Sequence, residues 1–249
     1  MPVSEWYKDW FSSPYYEILY FRRNEEEARR FIDQLAGYLK PKPGSCMLDV
    51  ACGKGRHSKV LAKMGFDVTG IDLSEPFILE AKKFETENLH FFIHDMRMPF
   101  RINYYDYAFN FFTSFGYFRT MREHDNAARA IAQSLKINGI FVIDYLNVHY
   151  AEDHLIKNEE KIIDGVKFNI SRWYNEDHFF KQVQIEDRKH GGRRQIFTER
   201  VAKFSLGDFT DMLAYQGMQV QDVFGDYELA HYDIRKSPRL IIIAKKIRY

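Results

Sequence analysis

The segment CMLDVACGKGRHS, residues 46 to 58, does most to limit what this chain can fold into. An apolar run leads straight into two glycines one residue apart, and amphipathic helical spacing follows at once. Gly53 and Gly55 permit a sharp backbone bend that a ligand can approach closely, and the helix behind them presents unpaired N–H groups to the same spot. Strand, bend and helix in this order open a parallel α/β sheet rather than a bundle or a sandwich. Nineteen residues beyond Gly53 stands Asp72, at the end of the next apolar run, where a carboxylate can accept from both hydroxyls of a ribose. Together these features predict a nucleoside-binding edge at the carboxyl ends of the first two strands.

The rest of the chain keeps that rhythm. After CMLDV (46–50) come a helix over 57–64 closed by Gly65, a strand FDVTGI (66–71) and a helix opened by Ser74. Then follow strands LHFFI (89–93) and YDYAFNFF (105–112), a helix around 122–136 and a strand GIFVIDYL (139–146). Five strands separated by helices or crossovers imply a parallel sheet covered on both faces. Beyond residue 150 the pattern alternates instead: KIIDGVKFNISRWY, FFKQVQIEDRK and RRQIFTERVAKF, joined by YNED and HGG, predict a three-stranded antiparallel insertion within 151–204. A helix capped by Ser205 with Asp208 and stopped by Gly217, and strands near 218–224 and 239–246, complete a single domain over 1–249. Ahead of the sheet, 1–40 reads as an aromatic lid interrupted by Pro14, then a helix capped by Asn24 that ends before Pro41. Its tyrosines, Tyr15, Tyr16 and Tyr20, suit either a cover over a ligand or the anchoring of an irregular segment.

Composition removes several classes of function. Thirty-six Lys and Arg against 35 Asp and Glu leave a formal charge of +1, too little to hold nucleic acid by counterion release. The basic group Arg188, Lys189, His190, Arg193 and Arg194 reads as a solvated turn between strands that also carry acids. No run of 18 apolar residues and no leader pattern occurs, and Cys46 and Cys52 are too extended to bridge, so a cytoplasmic protein without membrane or metal is expected.

The bend and the strand after it, LDVACGKGRHS with VTGIDLS, resemble the first two motifs of class I S-adenosylmethionine-dependent methyltransferases. The resemblance implies a Rossmann-like seven-stranded sheet, parallel except for an antiparallel last strand, flanked by helices; the ending SPRLIIIAKK is similar to that last strand. It also implies that Asp49 and the backbone of Ala51, Cys52 and Gly53 line the methionine moiety, with Gly55 at the turn, Asp72 on the ribose and Leu73 against the adenine. HDMR (94–97) resembles the third motif, which gives Asp95 and Met96 to the adenine, and Phe111 of NFFTSFGYF (110–118) falls on the cofactor side. A pyrophosphate-binding loop would carry a third glycine where Ser58 stands, which favours S-adenosylmethionine over NAD. TSFGYF, GRHS and the late SPR look like a bacterial branch that methylates small molecules and peptides, including the glycine and sarcosine N-methyltransferase type. S-adenosylhomocysteine would be the product.

Methyl transfer needs alignment more than activation, so the candidates for the reacting end are polar groups at strand ends and on the cover: Tyr20, Thr113, Ser114, Tyr117 and Asn147, with Tyr145 behind them. His57 is a candidate general base, or a hydrogen-bond partner of the backbone or of the cofactor carboxylate, with which Arg56 could also pair. The insertion is expected to roof the pocket or to form a homodimer contact. The substrate expected is a small-molecule or peptide N or O nucleophile. Two other readings remain open at this point, an NAD-dependent oxidoreductase and a non-catalytic module that binds the cofactor.

Overall fold

The computed structural model describes residues 6–11, 13–20, 25–187 and 194–248. Two short helices, α1 (Trp6–Phe11) and α2 (Pro14–Leu19), precede the longer α3 (Glu25–Leu39). Pro14 opens α2 at its first position, where no N–H is needed, and the Ser13 hydroxyl caps it. The cap expected at Asn24 lies outside the described residues. Then β1 (Cys46–Val50), α4 (Arg56–Lys63), β2 (Asp67–Asp72), α5 (Glu75–Lys82) and β3 (Leu89–Ile93) alternate as the pattern requires. They are followed by β4 (Tyr105–Asn110), α6 (Met121–Ser134) and β5 (Leu135–Leu146).

A short helix α7 (Val148–Asp153), absent from the sequence reading, follows β5 and is capped by Asn147. The insertion comprises β6 (Asn158–Ile163), β7 (Val166–Tyr174), β8 (His178–Asp187) and β9 (Arg194–Ala202). The chain closes with α8 (Leu206–Tyr215), β10 (Met218–Phe224) and β11 (Arg239–Lys246). The Ser205–Asp208 capping box at the start of α8 forms as read, and Gly217 ends that turn with φ of 72°.

The main sheet has seven strands in the order β10-β11-β5-β4-β1-β2-β3. Strands β3, β2, β1, β4 and β5 pair in parallel, and β11 runs antiparallel to both β5 and β10. This is the expected Rossmann-like sheet with an antiparallel last strand. Because both faces are covered, its strands read as near-continuous apolar runs, and alternate residues enter different cores: Ile242 packs on one side, Ile241 and Ile243 on the other. Strand order reverses between β1 and β4, which opens a crevice at the carboxyl ends of the strands.

The insertion has four strands rather than the expected three, in a sheet ordered β6-β7-β8-β9. The cause is Asp164-Gly165, with φ of 53° and 81°, a two-residue turn that folds KIIDGVKFNISRWY into a hairpin of its own. Arg188, Lys189, His190 and Arg193 lie outside the described residues.

Helices α1 and α2 pack on this second sheet, not on the first. Trp10 and Leu19 share a small core with Val166, Phe168, Ile170, Val183 and Ile185. The Trp10 indole donates to Glu199 of β9 at 2.7 Å, and the Tyr15 hydroxyl donates to Asp187 at 3.1 Å. A buried aromatic face with its polar tip satisfied fixes the segment firmly.

Candidate functional site

The bend after β1 holds three residues with left-handed backbone, Ala51, Gly53 and Gly55, at φ of 59°, 57° and 74°. Cys52 N donates to Ile71 O and Gly55 N to Cys52 O, both at 3.0 Å, so the bend is clamped to β2 and to itself. A Cβ on Gly55 would stand 2.4 Å from the Phe91 ring, which explains why no side chain fits there. The Asp72 carboxylate sits directly against the bend: Oδ2 accepts from Gly53 N at 2.9 Å, and Oδ1 accepts from Ser74 N at 2.8 Å. Burial pushes Asp72 above the ordinary carboxylate range, against the pull of those backbone donors.

Asp49, 1% exposed, accepts from the Ser58 hydroxyl. Ser58 therefore replaces the third glycine of a dinucleotide loop with a partner for a buried acid. Burial, opposed by that hydrogen bond, raises Asp49 to about 7.

Beyond the bend opens a cavity of about 1210 Å³, larger than the roughly 300 to 1,000 Å³ usual for one small ligand. Ten residues expected on the cofactor side line it: Asp49, Ala51, Cys52, Gly53, Arg56, Asp72, Leu73, Asp95, Met96 and Phe111. Gly55 does not; it shapes the bend from behind. Asp95 is clasped by Arg97, whose Nε lies 3.0 Å from both carboxylate oxygens. Burial alone would raise Asp95, but the Arg97 guanidinium and backbone N–H outweigh it and hold it below its usual range.

The reacting-end candidates separate. His57, Tyr20, Tyr117, Thr113 and Ser114 all line the cavity. His57 is 6% exposed and lies between the rings of Phe111 and Phe112, at centroid distances of 4.7 and 5.2 Å, with Nε2 unpartnered. Burial, and then the charge of Arg56, push its pKa well below the ordinary histidine value, so its ring is neutral. Tyr20 donates to Glu199 at 3.3 Å and accepts a short hydrogen bond from Lys181.

Asn147 does not belong to the site. Its Nδ2 donates to the carbonyls of Ile234 and Ser237 at 3.0 and 2.8 Å, and its Oδ1 accepts from His149 N and the Tyr232 hydroxyl. An amide so fully engaged caps α7 and pins the loop before β11, and it has nothing left for a substrate. Tyr145 is fully buried and does not line the cavity; its hydroxyl donates to Ala202 O at 2.7 Å.

One cluster escaped the sequence reading. Asp144, fully buried in β5, accepts from Arg239 Nε at 2.7 Å, from Phe112 N at 2.8 Å and from the Tyr227 hydroxyl at 3.2 Å. Arg239 Nη2 also donates to Thr113 Oγ1 at 3.0 Å. Burial works against the charge on Arg239, but the Asp144 carboxylate outweighs it and keeps the guanidinium cationic. The cluster holds Phe112 and Thr113 at φ of 57° each, two consecutive left-handed residues without glycine, at the end of β4. The available signal was an acid inside the apolar run GIFVIDYL and an arginine heading LIIIA, two charges that the register brings to one sheet end.

The insertion supplies Asp164, Glu199 and Val201 to the cavity wall, and α1 and α2 supply Phe11, Tyr16, Glu17 and Ile18. Among the described residues no group of three or more His, Cys, Asp or Glu could hold a metal, and no helix is long and apolar enough to cross a membrane.

Comparison with known proteins agrees with this geometry. Residues 41–184 match the family model described as a methyltransferase domain. The chain is 31% identical over 133 residues to dTDP-3-amino-3,4,6-trideoxy-alpha-D-glucopyranose N,N-dimethyltransferase of Streptomyces venezuelae, covering 52% of this chain and 54% of that enzyme, about half its length. It is 24% identical over 246 residues to glycine N-methyltransferase of Oryctolagus cuniculus, covering 84% of this chain and 82% of that one. A solved S-adenosylmethionine-dependent methyltransferase from Clostridium acetobutylicum shares the fold with a TM-score of 0.77 at 17% identity, over 93% of this chain and 95% of that one.

Proposed function

The chain belongs to the methyltransferase-domain family, and on that premise we propose that it is an S-adenosylmethionine-dependent enzyme that methylates the amino group of a small polar molecule. Membership displaces the nicotinamide-reductase reading. The observation that carries the amine assignment is the charge of the cavity wall. Eight carboxylates line it (Glu17, Glu27, Asp49, Asp72, Glu75, Asp95, Asp164 and Glu199) against three cations, Lys54, Arg56 and Arg239. A low-dielectric cleft lined mainly by one sign focuses its field and concentrates ligands of the other. A sulfonium cofactor and an ammonium acceptor gain from that field, whereas an anionic hydroxy acid would be repelled.

The residues present fit the cofactor. The bend leaves room at Gly53, where an added Cβ would meet nothing closer than 3.9 Å, and the Asp72 carboxylate beside it suits a pair of ribose hydroxyls. Leu73 and Met96 offer apolar surface to an adenine and Asp95 an acceptor, while Asp49 suits the ammonium and Arg56 the carboxylate of the methionine part. Bound there, S-adenosylmethionine supplies a methyl group already activated by a positively charged sulfur and departs as S-adenosylhomocysteine. What remains for the chain is alignment, which can supply roughly 7 to 11 kcal/mol.

Asp144 and Arg239 fix the loop after β4, and that loop with Tyr117 defines the acceptor's side of the cavity. An ammonium must lose a proton before it can attack. Glu199 Oε2 is placed to take it, since Oε1 receives Trp10, Tyr20 and Lys181 while Oε2 has no hydrogen-bond partner among the described residues. The neutral His57, packed between two rings, serves as cavity wall rather than as base. Helices α1 and α2 act as the lid and the four-stranded sheet as the roof, and the two free cysteines suit a reducing, cytoplasmic setting.

Labelled methyl transfer to paired amine and alcohol analogues tests the reading. Methylated amines with inert alcohols are expected; methylation of the alcohols alone would overturn it.

A further inference from the structure

Arg239 spends only part of its guanidinium on the protein. Nε donates to Asp144 Oδ1, Nη2 lies 2.6 Å from the same oxygen and 3.0 Å from Thr113 Oγ1, and Nη1 makes no hydrogen bond to any described residue. The side chain is 20% exposed, and it lines the cavity. A guanidinium carries five N–H donors in a fixed plane, and the two on Nη1 are not buried but stay open to an acceptor in the cavity.

Position sets Arg239 apart from the other cations of the wall. Lys54 and Arg56 stand on the glycine bend and at the start of α4, and they pair with Glu17 and Glu27. Arg239 opens β11 opposite Leu146 of β5, four strands along the sheet from Asp72 of β2. At about 4.8 Å per strand that is roughly 19 Å of sheet, which places Arg239 on the acceptor's side and not the adenosine's. The guanidinium is also held rigidly, by a buried carboxylate on one edge and a threonine whose own backbone is fixed by Asp144 O at 2.9 Å. A cation pre-organised in this way gives directional recognition of an oxyanion.

We propose that Arg239 Nη1 anchors an anionic oxygen group, a carboxylate or a phosphate, on the acceptor, so that the acceptor is a zwitterion whose amine faces the methyl donor and whose anion faces β11. This rests on the amine reading above and narrows it: the acid-rich wall admits the ammonium end, and the single cation across the sheet selects which amines are held. A neutral amine of the same size would enter but would not be oriented.

The test uses the full chain saturated with S-adenosylhomocysteine, which occupies the cofactor side. Calorimetric titrations with glycine, phosphoethanolamine and ethanolamine compare a carboxylate-bearing, a phosphate-bearing and an uncharged amine. At least one anion-bearing probe is expected to bind tenfold or more tighter than ethanolamine, and which one does so identifies the anion. In the double variant Arg239→Gln with Asp144→Asn, which leaves no unpaired buried charge, that preference should fall below twofold while S-adenosylhomocysteine binding stays within threefold. The proposal is overturned if neither probe outbinds ethanolamine in the native chain, or if the preference survives in the folded double variant. Glycolate separates the two levels of the argument: tighter binding of glycolate than glycine, still dependent on Arg239, would sink the amine reading and leave the anchor standing.

Discussion

Replacing Asp49 by asparagine should make the ligand-free protein more stable, and more so as the pH rises. The carboxylate is buried on β1, its folded pKa is raised to about 7, and its ordinary value is 3.8. A raised pKa means that the folded state binds the proton more tightly than the unfolded one. Stability from this group is therefore greatest below about 3.8 and is lost as the pH rises through 7. At 1.36 kcal/mol per unit, the penalty relative to a group that never ionises is roughly 1.5 kcal/mol at pH 5 and roughly 4 kcal/mol at pH 8. Asparagine keeps an oxygen to accept from Ser58 and does not titrate.

Any constant cost of the amide cancels when the two pH values are compared. The stability difference, variant minus native, should thus grow by roughly 2.5 to 3 kcal/mol between pH 5 and pH 8. Urea denaturation followed by circular dichroism at both pH values measures it. The same variant should lose roughly 10- to 100-fold in affinity for S-adenosylhomocysteine, as expected when one charge-assisted hydrogen bond disappears. A difference independent of pH would refute the claim that Asp49 is buried and reluctantly ionised in the empty site.

Three further outcomes follow from the geometry. Asp72→Asn should weaken S-adenosylhomocysteine binding by roughly 10-fold or more in calorimetry, because one oxygen cannot serve Gly53 N, Ser74 N and a ribose together; unchanged affinity would count against the clamp. Gly116→Ala should cost roughly 2 to 4 kcal/mol in denaturation, because φ is 91° and the new Cβ would lie 2.1 Å from the Tyr145 hydroxyl, and adding Tyr145→Phe should recover part of that loss. His57→Phe should flatten the acid limb of stability. The native histidine refuses a proton that the unfolded chain accepts below about pH 6.5, a loss of roughly 1.4 kcal/mol per pH unit that the variant lacks. Retained turnover in the same variant would agree with His57 as wall rather than base, and equal limbs in denaturation curves would refute its burial as a neutral ring.

The sheet was legible because its constraints are local. CMLDV, LHFFI and MQVQDVF end where β1, β3 and β10 end, since Gly, Pro and charged residues punctuate each of them. The meeting of bend and acid was legible for the same reason: they lie nineteen residues apart, and parallel pairing of β1 with β2 brings them together. The buried acid–arginine cluster at the end of β5 and β11 was not. Asp144 and Arg239 are 95 residues apart, and only the antiparallel register of β11 on β5 makes them neighbours. Asn147 misled for a related reason, because the carbonyls that consume its amide come from a loop 86 to 90 residues away. The extra strand of the insertion was present as Asp-Gly inside an alternating run, and it was hidden by reading that run as one strand.

The two sheets divide the labour in a way that accounts for both kinds of legibility. A donor common to many enzymes needs a fixed edge, and a bend plus an acid on adjacent parallel strands builds it from residues close in sequence. An acceptor particular to one enzyme needs a wall that can vary without disturbing that edge. Here part of the wall comes from β9, from the β6–β7 turn and from helices α1 and α2, and those helices share a small core with the second sheet. Trp10 and Tyr20 converge with Lys181 on Glu199, so the cover and the roof meet at a carboxylate that also faces the cavity. If the proposed function holds, part of a change of acceptor could be made within that second core, without altering the bend and the Asp72 carboxylate that would hold the donor.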